Sequence, residues 1–192
     1  VSSNATVDSI ITVTRTGGTG SDVTVSDNVS GIGTDQYISV ELINVSGGSG
    51  NDIFIVNDDL DNEFNGLGGS DTINYSGVTN PITATIVSDQ ATIQTSGLGI
   101  DTLISIENIT TGSGDDYFDI TGTVDYNLNS GSGADVFFFN TAVNGSLALE
   151  TSDSAHLDFS AFTSSGITID LSSAVSQTVA AAFDVRLTGK FT

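Results

Sequence analysis

The sequence predicts an all-β fold, a parallel β-roll or β-solenoid interspersed with short antiparallel strand pairs. Three observations predict it. Apolar residues recur at period two in short runs. Clusters of Gly, Asn, Asp and Ser separate those runs, and helical periodicity is almost absent. One segment is written twice, at an offset of 64 to 66 residues.

Taken in chain order, residues 10–14 and 23–26 read as a strand pair. The loop between them, GGTGSDVTV at 17–25, places Thr24 where an apolar anchor would be needed, so Asp22 is read as part of a hairpin. A first block follows from 30 to 75, then a second strand pair from 76 to 95 in which ITATI and ATIQT alternate. The single proline, Pro81, precedes that pair, where it is tolerated. A second block runs from 96 to 140. Residues 141–192 read as the start of a third unit, because LDFSAFTSSGITIDL resembles INYSGVTNPITATI, and residues 1–29 read as a partial unit. Val179, Ala181, Phe183, Val185 and Leu187 fall at period two, although the alanines of 174–187 also admit a short helix.

The two blocks align closely. Ser30 matches Ser96 and Glu41 matches Glu107 at an offset of 66. After a two-residue insertion, Asn51–Asp71 matches Asp115–Asp135 at 64, pairing Phe54 with Phe118, Leu60 with Val124, Phe64 with Leu128 and Asn65 with Asn129. Within each block three turns end on aspartate. They are Asp35, Asp52 and Asp71 in the first, spaced by 17 and 19, and Asp101, Asp116 and Asp135 in the second, spaced by 15 and 19. One coil of a two-sided roll takes about 18 residues. The spacing therefore predicts that the three Asp turns of each block stack along one edge.

Composition narrows the chemistry. The chain of 192 residues carries 24 acidic side chains against Arg15, Arg186 and Lys190, a net charge of −21. Nucleic acid needs a basic face and is excluded, as is an anionic membrane surface. No apolar run is long enough to span a bilayer. Twenty of the acids are Asp, whose short stem suits turns and hard-cation coordination. Cysteine is absent, so disulfides and thiolate metal sites are excluded. His156 is the only histidine and nothing around it forms a catalytic constellation, so no enzyme activity is expected. The opening VSSNA lacks Met, as in a processed or excised product, and an export signal would lie outside these residues.

The pattern Gly-x-Gly-x-Asp-x-apolar occurs at Gly31–Tyr37, Gly48–Phe54, Gly97–Leu103, Gly112–Phe118 and Gly131–Phe137. A sixth copy, GLGGSDTI at Gly66–Ile73, has its glycines displaced. Glycines let a chain curl tightly and expose its carbonyls, and these with the Asp carboxylates are the oxygen ligands that Ca²⁺ takes six to eight at a time. One turn supplies about half a shell, so an ion would sit between neighbouring turns. The candidate ligands are Asp52, Asp71, Asp116 and Asp135, then Asp35 and Asp101, with Asn51 and Asp115 one residue earlier, and about four to six ions are expected. The cluster Asp58, Asp59 and Asp61 reads as a solvated edge turn, and Phe137–Phe139 as core and edge packing.

These motifs resemble the RTX family of secreted calcium-binding repeats, whose nonapeptide is GGxGxDxUx. GGSGNDIFI at 47–55 is a full match, and the resemblance covers about residues 30–140. The resemblance implies that Gly48, Gly50, Gly112, Gly114, Gly131 and Gly133 shape the loops. It also implies an extracellular protein that folds on meeting calcium. The expected function is that of a non-enzymatic structural subunit of a filament or surface layer, assembling head to tail with copies of itself. A fragment of a giant adhesin, or an accessory domain of a secreted enzyme, is the alternative. Surface glycan and cell wall are candidate further contacts.

Overall fold

A computed structural model describes residues 10–15, 23–27, 34–37, 42–57, 60–96, 99–140, 144–161, 177–180 and 183–191. Among them the protein is all-β, with no helix. Residues 177–180 and 183–191 are strands, so of the two readings left open for 174–187 the extended one is found. Asp22, Asp58 and Asp59 lie outside the described residues.

The chain begins with an antiparallel triplet, β1 (Ile10–Arg15), β2 (Val23–Asp27) and β3 (Thr34–Tyr37), with Val13 opposite Val25 and Val25 opposite Asp35. Then come β4 (Leu42–Gly48), β5 (Ile53–Asn57), β6 (Asp61–Leu67) and β7 (Thr72–Asn74). Here strands next to one another in sequence do not pair. Instead β4 pairs in parallel with β6 and β5 with β7, with Val45 opposite Phe64 and Phe54 opposite Ile73, so each step to a neighbour takes 19 residues. A second triplet, β8 (Ile82–Val87), β9 (Gln90–Thr95) and β10 (Ile100–Ile104), is again antiparallel. It is followed by β11 (Asn108–Thr110), β12 (Tyr117–Thr121), β13 (Thr123–Asn129) and β14 (Ala134–Phe139). The 19-residue step returns there, with Ile109 opposite Leu128 and Phe118 opposite Phe137.

The pairings sort the strands into two rows. One runs β4, β6, β10, β9, β8, β12, β14. The other runs β3, β2, β1, β5, β7, β11, β13. The long strand β15 (Asn144–Asp158) joins them: its first half pairs with β13 and its second with β14, across an irregularity between Glu150 and Ser154. With β16 (Gln177–Ala180) and β17 (Phe183–Phe191) the described strands form one mixed sheet.

Alternation gives most of the strands with described side chains one inward face. β8 shows it plainly: Ile82, Ala84 and Ile86 are buried while Thr83, Thr85 and Val87 are exposed. The inward residues of both blocks meet in one apolar cluster containing Phe54, Phe64, Ile73, Ile109, Phe118, Leu128 and Phe137. Phe118 stacks on Phe137 at 4.6 Å and Phe139 on Phe159 at 4.3 Å. Each such side chain contributes about 1.5–3 kcal/mol by leaving water. Within the Phe137–Phe139 run the outer two rings are buried, and Phe138 faces outward against Tyr117 at 6.2 Å.

The displaced glycines of GLGGSDTI leave a mark. Leu67 occupies the place that Gly131 holds in the second block, and both adopt left-handed backbone, at φ 70 and φ 67. A leucine pays about 1–2 kcal/mol for that conformation. Its side chain is largely exposed, so little apolar burial is at stake. Leu67→Gly is expected to raise stability by roughly 0.5–1 kcal/mol, read from denaturant midpoints.

Candidate metal centre

The three-strand triplets decide where the Asp turns fall. Each triplet keeps three consecutive strands in one row, so the next block enters the rows in the opposite order. β4 and β5 pass from the first row to the second, whereas their sequence equivalents β11 and β12 pass from the second to the first. Asp52 and Asp71 consequently lie on one edge of the protein, and Asp116 and Asp135 lie on the opposite edge.

The hydrogen bonds of the two edges repeat at the 64-residue offset. On the first, Asp52 N–H donates to Asp71 Oδ1 at 2.7 Å and Ser70 N–H to Asn51 Oδ1 at 2.8 Å. On the second, Asp116 N–H donates to Asp135 Oδ1 at 2.9 Å and Ala134 N–H to Asp115 Oδ1 at 2.8 Å. Backbone bonds match as well: Gly68 N–H to the Gly48 carbonyl corresponds to Ser132 N–H to the Gly112 carbonyl, and Thr72 N–H to Asp52 O corresponds to Val136 N–H to Asp116 O. Asp71 and Asp135 thus tie their own turns to the preceding Asp turn, and Asn51 and Asp115 tie theirs to the following one. Asp52, Asp71, Asp116 and Asp135 are all buried, while Asn51 and Asp115 are exposed.

At several glycines of these loops neighbouring turns approach closely. A side chain on Gly112 would meet the carbonyl of Val78, and one on Gly114 would meet the backbone of Asn80 and Pro81. Gly131 packs on the Gly112 carbonyl, and Gly133 on that of Gly114. In the first block Gly48 donates to Asp52 Oδ2 at 2.7 Å, and the Gly50 carbonyl lies against Gly69.

Asp35 and Asp101 are placed differently from expectation. Both belong to the antiparallel triplets, in β3 and β10, and not to the stacked turns. The last strand of each triplet takes up the aspartate of one Gly-x-Gly-x-Asp copy, so each edge receives two aspartates of a block instead of three. Asp101 is buried, its Oδ1 accepting the Asn62 backbone N–H and Nδ2, both at 2.9 Å, and its Oδ2 the Tyr75 hydroxyl at 2.7 Å. Asp61 reaches the same region, accepting Ile100 N–H at 2.7 Å.

Residues outside the motif complete the edges. Glu107 Oε2 accepts Asp71 N–H at 2.7 Å, and Asp116 Oδ1 accepts Ile82 N–H at 2.8 Å. The match of Glu41 with Glu107 was the sequence signal for the first; nothing local marked Ile82.

The second edge has an electrostatic deficit. Asp116 Oδ2 and Asp135 Oδ2 are buried and make no hydrogen bond. Burial pushes Asp116 up to about 6 from its ordinary 3.8, with the charges of Asp135 and Asp115 adding to the rise. The Thr111 hydroxyl and Ile82 N–H oppose it, and the Thr111 hydroxyl also lies 3.4 Å from the Asn129 carbonyl. Burial likewise raises Asp135, against the opposing Ser130 hydroxyl and Asp116 N–H. A carboxylate so placed needs either a proton or a cation.

Among the described residues no group of three or more His, Cys, Asp or Glu side chains is placed to hold a metal ion. An ion at these edges would therefore rest on a carboxylate pair together with backbone carbonyls, a donor set that hard cations accept. No protein-family profile matches the chain, and no curated protein matches it.

Proposed function

We propose that this chain is a non-enzymatic calcium-binding structural module, a β-solenoid of the RTX kind in which Ca²⁺ couples neighbouring coils. The observation that carries the reading is the pair of buried carboxylate oxygens, Asp116 Oδ2 and Asp135 Oδ2, without hydrogen-bond donors in a chain of charge −21. Left ionised, they repel each other inside a low-dielectric edge. A hard divalent cation removes that repulsion and supplies what the missing donors do not. Asp116 and Asp135 would hold it, with carbonyls of the Gly112–Gly114 and Gly131–Gly133 turns. Asp52 and Asp71, with Asn51, form the equivalent set on the other edge.

Binding free energy then becomes folding free energy. A chain with these properties stays loose where calcium is scarce and closes where it is abundant, which fits a secreted or surface protein. The product is a stiff element of a filament or surface layer, and its partners are copies of itself. Counting bound calcium by equilibrium dialysis tests the reading. Asp116→Asn combined with Asp135→Asn is expected to lose at least one ion relative to the parent chain. Equal counts in parent and double variant, or no bound calcium in either, would end it.

A further inference from the structure

The two edges differ at a position next to the aspartates. Five residues before the aspartate the first block has glycine, Gly47 before Asp52 and Gly66 before Asp71. The second block has Thr111 before Asp116 and Ser130 before Asp135.

The exchange displaces the carboxylate. A side chain on Gly47 would overlap the Asp52 carboxylate, and one on Gly66 would overlap that of Asp71. In the first block, then, each carboxylate occupies the volume that a Cβ takes in the second. Asp52 profits from that position, because its Oδ2 accepts Gly48 N–H at 2.7 Å. At the second edge Thr111 fills the volume, and the equivalent bond from Gly112 is absent: Asp116 Oδ2 is buried without a donor. Ser130 stands in the same relation to Asp135, whose Oδ2 is also buried without a donor. There the Gly131 N–H is taken by Asn129 Oδ1 at 3.0 Å.

The same two side chains bring hydroxyls. Thr111 and Ser130 are buried, and their hydroxyls lie 3.4 Å from the carbonyls of Asn129 and Glu150 on the neighbouring strands. A good O–H···O bond is about 2.7–2.8 Å long, so neither hydroxyl is firmly held. Each also acts on the carboxylate of its own turn. A hydroxyl has one proton and cannot satisfy a carboxylate and a carbonyl together. A hard cation can accept all three oxygens at once. We propose that Thr111, with Ser130 in the same role one turn on, makes the second edge the cation-dependent one: its bulk denies Asp116 the glycine N–H, and its hydroxyl joins the oxygens that face the ion. This inference rests on the calcium reading and ranks the edges within it, the second binding calcium more tightly than the first.

The test is a calcium titration of the whole chain followed by heteronuclear NMR at neutral pH, with calorimetry supplying the affinities. Amides of residues 112–116 should respond at calcium concentrations lower by about tenfold or more than those of residues 48–52, the worth of one hydrogen bond to a charged group. Thr111→Gly should bring the two edges to within about threefold. In chelator it should also slow exchange of the Gly112 N–H toward that of Gly48, as Asp116 takes up the bond. Thr111→Val keeps the bulk and loses the hydroxyl, so it should weaken the second edge by about tenfold without protecting Gly112. Thr111→Ser, which keeps both, should retain the parent affinity. A merely structural role would lower stability in the order of lost volume and leave the ranking of the edges untouched. The spectra report whether each variant is folded, and should Thr111→Gly fail to fold, the Val and Ser variants carry the comparison. Edges that fill together in the parent, or parent affinity at residues 112–116 in folded Thr111→Gly or Thr111→Val, would overturn the inference and leave calcium binding standing. A parent chain that does not respond to calcium would overturn the calcium reading and this inference with it.

Discussion

Gly69→Ala and Gly133→Ala are each expected to destabilise the protein by about 3 kcal/mol or more, while Gly68→Ala stays within about 0.5 kcal/mol of the parent. The two sensitive positions are equivalents in the repeat, at φ 133 and φ 138, where a side chain is strained whatever the space around it. Both also sit directly against a carbonyl of the preceding Asp turn, that of Gly50 for Gly69 and that of Gly114 for Gly133. Relief would require separating paired strands, because backbone and not a flexible side chain is in the way. Gly68 has no such constraint. The nearest atom to an added Cβ is Ser49 Cα at 3.9 Å, and the second block already carries Ser132 in that place. Denaturant unfolding of the three variants, compared at constant slope, reads the difference. Similar losses at Gly68 and Gly69 would mean that the turns do not approach as described.

Stability should depend on pH with opposite signs in the presence and absence of calcium. Asp116 has a folded pKa of about 6 against an ordinary 3.8, so between these values the folded protein binds more protons than the unfolded chain. Without calcium the contribution is fully present below pH 3.8 and is lost as pH rises through about 6. Asp135 is raised in the same direction and adds to it. The metal-free protein should therefore gain roughly 2 kcal/mol on acidification from neutral pH through this window. Falling self-repulsion of the −21 charge acts in the same sense. Asp158 is lowered by its hydrogen bonds with Ser160 and works the other way, but at the surface, where the effect is screened. With calcium bound, protons compete for the oxygens that hold the ion, and acidification should destabilise. Chemical denaturation from pH 7 to 4, in calcium and in chelator, checks both slopes. A metal-free protein that weakens steadily as pH falls would show that these carboxylates are satisfied as anions.

Much of this arrangement was legible in the sequence because the repeat preserves core and turn positions together. The match of Asn51–Asp71 with Asp115–Asp135 anticipated a correspondence that extends to individual hydrogen bonds, Asn51 with Ser70 and Asp115 with Ala134. ITATI and ATIQT read correctly as a hairpin because one face is buried at every second residue. The edge on which each Asp turn falls was not legible. It depends on how many consecutive strands stay in one row, which is a property of pairing and leaves no trace in local spacing. For the same reason Asp101 was grouped with Asp116 and Asp135, although the antiparallel pairing of β10 with β9 carries it into a strand, where Asn62 and Tyr75 hold its carboxylate.

The most direct test of the central claim, that a divalent cation bridges the buried carboxylates of adjacent coils, is thermal unfolding followed by circular dichroism in millimolar calcium and in excess chelator. Calcium at about a thousand times its dissociation constant adds about 4 kcal/mol per site, which for a chain of this size raises the midpoint by about 10 °C or more. That shift, smaller by a measurable margin in Asp116→Asn with Asp135→Asn, is the expected result. Superimposable melting curves in calcium and chelator would contradict it.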